Sequence, residues 1–184
     1  MKPTWRNRKS FSKNCTGAIC FTQSVRQQLH NGIFSLPKDR IRLVDPPIDT
    51  ERFSPPTGED QRRYREQMGI PKEAYVVGIV ARMQTHRRFG PLLDAVRIVA
   101  NQIPQFRFII IGRGTHQEKV AQEPVRKLGL ENTVLFAGYR SGEDYRTALQ
   151  TFDVKVFLVP GSDGTCRAVR EALSSGIPVV SSDR

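Results

Sequence analysis

From residue 74 onward, apolar runs of strand length alternate with longer stretches in which apolar residues recur at helical spacing. The runs are Tyr75 to Val80, Phe106 to Ile111, Val134 to Phe136, Val154 to Val159 and Ile177 to Val180. Between them lie Pro91 to Gln102, Gln117 to Leu128, Gly142 to Thr151 and Thr165 to Ser175, each long enough for a crossover helix. This order predicts an α/β domain, a Rossmann-like doubly wound parallel sheet with helices on both faces. The runs are apolar almost throughout, as expected of strands covered on both sides.

The chain before residue 74 follows another pattern. Ala18 to Phe21 and Arg40 to Val44 are short predicted strands, and Ser24 to His30 is a predicted helix opened by Ser24. Pro46, Pro47, Pro55, Pro56 and Gly58 then break any periodicity, so 46–58 is predicted to be a linker between domains. The expected organisation is a basic segment over 1–14, a small part of one domain over 15–45, the linker, and the sheet domain over 59–184. The sequence ends at Ser181-Ser182-Asp183-Arg184, directly after the last apolar run. A doubly wound domain normally continues past that point, so the sheet domain is expected to be incomplete.

Composition narrows the class. The 184 residues are 38% apolar, 26% charged and 8% aromatic, the mix of a soluble globular chain. No stretch approaches the roughly 20 apolar residues of a membrane helix. No apolar segment with a small-residue cleavage site follows the basic start, which argues against a secretory signal and makes the cytoplasm the expected compartment. Lys and Arg number 29 against 18 acidic residues, a net charge of +11 that suits phosphates, nucleic acid or an anionic membrane surface without choosing among them. Cys15, Cys20 and Cys166 form no CxxC pair and His30, His86 and His116 lie far apart, so neither metal-ligand spacing nor a disulfide framework is visible.

In an open parallel sheet, ligands bind outside the carboxyl ends of the strands. The residues there are cationic and rich in glycine. Arg82, His86, Arg87 and Arg88 follow the first run, Gly112-Arg113-Gly114 the second, Gly138-Tyr139-Arg140 the third, and Pro160-Gly161-Ser162-Asp163-Gly164-Thr165 opens a helix after the fourth. Glycines admit close backbone approach, a helix amino terminus presents N–H groups, and arginines pair with phosphate oxygens. A phosphate or diphosphate is their common target. Plainer readings stand beside this one. Gly112-x-Gly114 lacks the third glycine of a dinucleotide fingerprint, with Gln117 in its place, and fits an ordinary turn as well. His86-Arg87-Arg88 fits a solvated loop, Cys166 a small packed residue, and Glu171 an ion pair with Arg167 one turn earlier.

The stretch from Val159 to Val180, with Asp163, Gly164, the Glu171-Ala172 pair eight residues after Asp163, and Gly176-Ile177-Pro178-Val179-Val180, resembles the donor-binding signature of glycosyltransferase family 4, the group 1 transferases of GT-B fold. Arg82, Ile110-Ile111-Gly112-x-Gly114, Val134-Leu135-Phe136-Ala137-Gly138 and Asp153 follow the family's order. Pro47-Ile48-Asp49-Thr50-Glu51-Arg52-Phe53 is similar to its interdomain junction. The resemblance runs from about residue 17 to 184. It implies a retaining, metal-independent transferase that takes a sugar from a nucleoside-diphosphate sugar, with residues 59–184 as the donor-binding carboxyl-terminal half and 15–45 as a remnant of the acceptor side. Arg82 and Arg87 would neutralise the diphosphate, Gly164, Thr165 and Cys166 would offer backbone N–H groups, Asp163 would touch the sugar, and Glu171 would take the ribose hydroxyls. Gly112, Gly114 and Gly138 would line the same site.

Two departures from the family stand out: Arg87-Arg88 replaces Lys-Gly, and Asp163 replaces Glu. No Asp-x-Asp triplet occurs to chelate a metal, and no cofactor is expected. The partners implied are the nucleotide sugar, an acceptor of unknown kind, a second chain if the acceptor domain is supplied in trans, and peripheral contact with an anionic membrane at its inner face. The alternatives are a non-catalytic nucleotide- or anion-binding module and a nucleotide-sugar epimerase of related fold. Specific nucleic-acid binding is not expected, because no recognition motif with interleaved aromatics occurs.

Overall fold

The computed structural model describes residues 14–32, 34–158 and 166–182. They form two compact units, one ending at Pro47 and the other beginning at Ile48.

The first unit holds β1 (Ala18–Cys20), α1 (Gln23–Asn31) and β2 (Ile41–Leu43). The two strands are parallel, with Ala18 opposite Ile41, and Cys20, Leu36 and Ile41 form its small core. The helix is capped by Thr22, whose hydroxyl accepts from the Val25 N–H at 3.2 Å, rather than by Ser24.

The second unit is α/β. Its elements are α2 (Gly58–Gln67), β3 (Tyr75–Val80), α3 (Phe89–Gln102), β4 (Phe106–Ile111), a π-helical turn (Glu118–Gln122) leading into α4 (Glu123–Lys127), β5 (Val134–Gly138), α5 (Gly142–Leu149), β6 (Val154–Phe157), α6 (Arg167–Ser174) and β7 (Val179–Ser181). The five strands are parallel in the order β5-β4-β3-β6-β7. Alternation along β4 distributes the core. Phe106, Phe108 and Ile110 join Leu92, Leu93, Val96 and Val125 of α3 and α4 on one face. Ile109 and Ile111 join Leu149, Phe152, Ala172 and Ile177 of the α5 and α6 side on the other. Gly78 in the central strand belongs to the second face: a Cβ there would lie 2.0 Å from the Phe152 ring, so the missing side chain is what admits the phenylalanine.

Three stretches differ from the pattern-based expectation. The expected helix Gln117 to Leu128 opens as a wider turn because Pro124 has no N–H to give the carbonyl of Val120. Helix α2 lies where the sequence is punctuated by Pro55, Pro56 and Gly58. It forms because Thr57 caps it, the hydroxyl giving to Asp60 at 2.8 Å and accepting from its N–H at 3.0 Å. The expected linker is partly packed, since Phe53 is buried in the second core and Gln150 donates to the Ser54 carbonyl at 2.7 Å.

Arg65 fixes α2 to the sheet. It is 9% exposed; its Nε and Nη2 donate to the Thr151 carbonyl at 3.0 and 2.8 Å, and Nη2 meets Asp153 Oδ1 at 2.7 Å. Asp153 also accepts the Val76 N–H at 2.8 Å. One ion pair, buried on its arginine side, thus joins α2, β3 and the residue before β6.

Candidate functional site

The strand order places the site. β3 starts the sheet, β4 and β5 extend it one way, and the chain then returns to add β6 and β7 on the other side of β3. The crevice beyond the carboxyl ends of β3 and β6 is therefore the topological switch point, where doubly wound sheets bind ligands.

The loops on the β3 side are tied together by their backbones. The Ala81 N–H donates to the Ile111 carbonyl at 3.0 Å and the Gly112 N–H to the Gly138 carbonyl at 2.8 Å. The approach is close enough that a Cβ on Gly112 would lie 2.1 Å from the Ala81 oxygen, and one on Gly114 2.1 Å from the Met83 oxygen. Gly112 and Gly114 are thus required by the meeting of the loops after β4 and β3, which is the turn reading of that motif. Gly138 has φ 71° with open space around it. Next to it, the Arg113 guanidinium lies 4.7 Å from the centroid of the exposed Tyr139 ring.

Arg82 is exposed between Ala81 and the buried Met83, which anchors the loop in the first core. Arg87 ends the short 3-10 turn Thr85–Arg87 and is half-buried. Arg88, where the family pattern has glycine, adopts φ 54°, the left-handed conformation that glycine adopts without strain. The arginines thus lie in the loop that directly follows β3.

Across the switch point, α6 begins after Cys166, a half-buried residue at φ 50° whose carbonyl accepts the Val169 N–H at 2.8 Å. Asp163, Gly164 and Thr165 lie outside the described residues, as do Pro160, Gly161 and Ser162. Glu171 comes one turn into the helix, about 6 Å along its axis from Arg167 at 1.5 Å per residue. It is 4% exposed, and both its oxygens are engaged. Oε1 lies 3.1 Å from Nε of the exposed Arg167, and Oε2 accepts the Tyr145 hydroxyl at 2.6 Å. The ion pair weighed from the sequence therefore exists, and a second, buried partner accompanies it. Burial and the bond to Glu171 push the Tyr145 phenol up.

Below the helix, Lys155 of β6 stands opposite Gly78 of β3 and Val179 of β7. It is fully buried, and its Nζ has no hydrogen-bond partner among the described residues. Burial pulls its ammonium down to about 7, against a smaller upward pull from the Glu171 carboxylate. Tyr145 and Lys155 were not among the residues expected at the site. Lys155 had a visible signal, as the single charge in the run from Val154 to Val159; Tyr145 had none, because helical spacing does not reveal which residue of α5 meets α6. No three His, Cys, Asp or Glu side chains converge among the described residues, and no helix among them is long and apolar enough to cross a membrane.

The five-stranded parallel α/β sheet, with its cationic loop after β3, has the architecture of a GT-B glycosyltransferase domain. A family model for glycosyl transferases group 1 matches residues 60–184, and the chain belongs to that family. It is 30% identical to D-inositol 3-phosphate glycosyltransferase of Corynebacterium urealyticum over 149 residues, 78% of this chain and 35% of that protein. It is 27% identical to mannosylfructose-phosphate synthase of Agrobacterium fabrum over 154 residues, 80% of this chain and 33% of that one. The fold superposes on Anabaena Alr3699/HepE, crystallised with UDP and glucose, with a TM-score of 0.75 and 21% identity, covering 98% of this chain and 49% of that chain. The chain thus spans about a third of the length of the curated relatives it matches.

Proposed function

We propose that this chain is the nucleotide-sugar-binding half of a glycosyltransferase, transferring a sugar from a nucleoside-diphosphate sugar to an acceptor bound elsewhere. One observation carries the reading: the arginine-bearing loop after β3 and the start of α6 after β6 flank the switch point of the sheet. Arg82 and Arg87 pair with the diphosphate, and Cys166, with Gly164 and Thr165 before it, brings backbone N–H groups of the helix start to the same oxygens. Asp163 faces the transferred sugar. Glu171 takes the ribose hydroxyls on Oε1, whose present partner, Arg167, is exposed and free to swing into water, while Tyr145 keeps Oε2.

As the glycosidic bond breaks, negative charge develops on the leaving nucleoside diphosphate. Arginines and helix-end dipoles already in place stabilise that charge without reorganising. This reading assigns the charge stabilisation to those groups rather than to a metal, and it includes retention of configuration as the resemblance implies. Membership in the group 1 family and the UDP held by HepE favour it over a simple anion-binding module or an epimerase.

The test is a titration of the wild type and Glu171→Ala with UDP, GDP and ADP. The variant is expected to bind the preferred one more weakly by about 1–3 kcal/mol, the value of a hydrogen bond to a charged acceptor. Unchanged affinity would leave Glu171 as a partner of Arg167 and Tyr145 only.

A further inference from the structure

Two side chains hold the Glu171 carboxylate, one on each oxygen, and they differ in strength. Arg167 reaches Oε1 through Nε at 3.1 Å, with its side chain 73% exposed. It stands one turn before Glu171 on α6, the less favourable order for an ion pair along a helix. An exposed pair of this kind shifts an equilibrium by a factor of about five at most. Tyr145, half-buried on α5, gives its hydroxyl to Oε2 at 2.6 Å. A hydrogen bond to a charged group shifts an equilibrium about 10- to 150-fold. The tyrosine is therefore the firm partner and the arginine the exchangeable one.

Packing fixes the tyrosine itself. Its ring meets that of Phe53 edge to face, with centroids 6.2 Å apart and planes at 66°. Phe53 is buried in the core with Leu149 of α5 and Ala172 of α6, and its carbonyl accepts the Ser175 hydroxyl just after α6 at 3.4 Å. The ring contact needs no hydroxyl; the bond to Glu171 does. Without that bond, Oε2 would be a buried acceptor that has lost its donor. The Arg167 guanidinium is a planar fork that fits both oxygens of a carboxylate, and Glu171 would then be free to turn and meet it with both. Ribose would have to break a two-pronged pair instead of replacing a single contact. We propose that Tyr145 is a positioning residue: by holding Oε2 it limits Arg167 to one oxygen of Glu171 and leaves Oε1 as the acceptor that the ribose hydroxyls take. The proposal rests on the assignment of Glu171 to the ribose.

The experiment compares UDP-glucose with its 2′,3′-dideoxyribose form by calorimetric titration at neutral pH. GDP-mannose and ADP-glucose run in parallel with their dideoxy forms. Contacts to the diphosphate, the base and the transferred sugar cancel in the ratio of the two affinities, which reports the ribose hydroxyls alone. In Tyr145→Phe, which keeps the ring against Phe53, the ratio should fall about tenfold, the lower end of what a hydrogen bond to a charged group contributes. The dideoxy form should bind as it does to the wild type. In Arg167→Ala, which keeps the tyrosine bond, the ratio should hold its wild-type value or rise by up to about fivefold, since only a weak competitor is removed.

A wild-type ratio well above one that Tyr145→Phe leaves unchanged overturns the proposal and leaves the ribose assignment standing. Equal losses of both ligand forms in Tyr145→Phe also overturn it, since a merely structural residue would behave that way. A marked fall of the ratio in Arg167→Ala overturns it as well, because the arginine would then be the group that holds the carboxylate. That substitution is on the exposed side of α6, so this arm decides even if Tyr145→Phe does not fold. A wild-type ratio near one removes the ribose role of Glu171 together with this proposal, and no binding of any probe removes the donor site itself.

Discussion

Replacing Lys155 by methionine should make the protein more stable, by an amount that depends on pH. The ammonium titrates near 7 in the folded protein and near 10.5 when exposed. Below 7 both states carry the proton, and the folded state bears the full cost of a buried charge. Between about 7 and 10.5 the unfolded chain holds a proton that the folded one has released, so stability rises with pH by about 1.4 kcal/mol per unit and levels off above that window. The penalty at pH 6.5 is therefore about 5 kcal/mol, and at pH 9.5 about 1–2 kcal/mol remains. Methionine has similar length and no charge, so Lys155→Met should recover most of this. Urea unfolding of both proteins at the two pH values, each fitted with its own midpoint and slope, gives the difference directly, and other titrating groups cancel between wild type and variant. A gain of about 3–5 kcal/mol at pH 6.5 that shrinks toward pH 9.5 is expected. A variant that is less stable, or a difference indifferent to pH, would show that the lysine keeps its proton through a partner and that its burial carries no cost.

Other outcomes follow from the same geometry. Arg82→Ala and Arg87→Ala should each weaken nucleoside diphosphate binding far more than binding of the free nucleoside, with Arg87→Lys milder because it keeps the charge and loses only the planar fork; titrations with both ligands decide, and Arg88→Ala should change little. Arg65→Met should lower stability by about 3 kcal/mol, measured by urea unfolding, because it leaves Asp153 without its buried partner. Gly112→Ala should destabilise by roughly 1–3 kcal/mol in the same assay, since its Cβ would press on the Ala81 carbonyl.

The sheet was legible because its strands are covered on both faces. Tyr75–Val80 and Phe106–Ile111 are apolar runs, broken by Gly78 in the first and Arg107 in the second and bounded by turns, and their limits in the structure coincide with those of the runs. Less could be read where tertiary contacts override local signals. Ile177 looks like a strand residue, yet it packs in the turn before β7. Phe53 sits among prolines that suggest a linker, but the core takes it up. Helix α2 was hidden by Gly58 and the prolines before it, and it is held by a cap and by a buried arginine that reaches Thr151 and Asp153, 86 and 88 residues away in sequence, as well as the nearby Ala74 carbonyl. At the candidate site the arginines and Glu171 were visible through their order along the chain. The glycines Gly112 and Gly114 were visible too, and their reason for being glycine is the neighbouring loop's carbonyls, which no spacing rule reports. Tyr145 reaches Glu171 only through the packing of α5 beside α6, and that is a property of the fold.

The central claim is that this domain holds a nucleoside-diphosphate sugar at the switch point. A thermal-shift panel of UDP-, GDP-, ADP- and CMP-sugars against the purified chain tests it most directly, because a ligand that binds only the folded state raises its apparent stability by RT ln(1 + [L]/Kd), about 2.7 kcal/mol at a hundredfold excess over Kd. The account predicts a concentration-dependent rise with at least one nucleoside-diphosphate sugar, smaller with the matching nucleoside and reduced in Arg82→Ala. A panel that stays flat at millimolar ligand, or a rise that survives removal of the arginine undiminished, would contradict it.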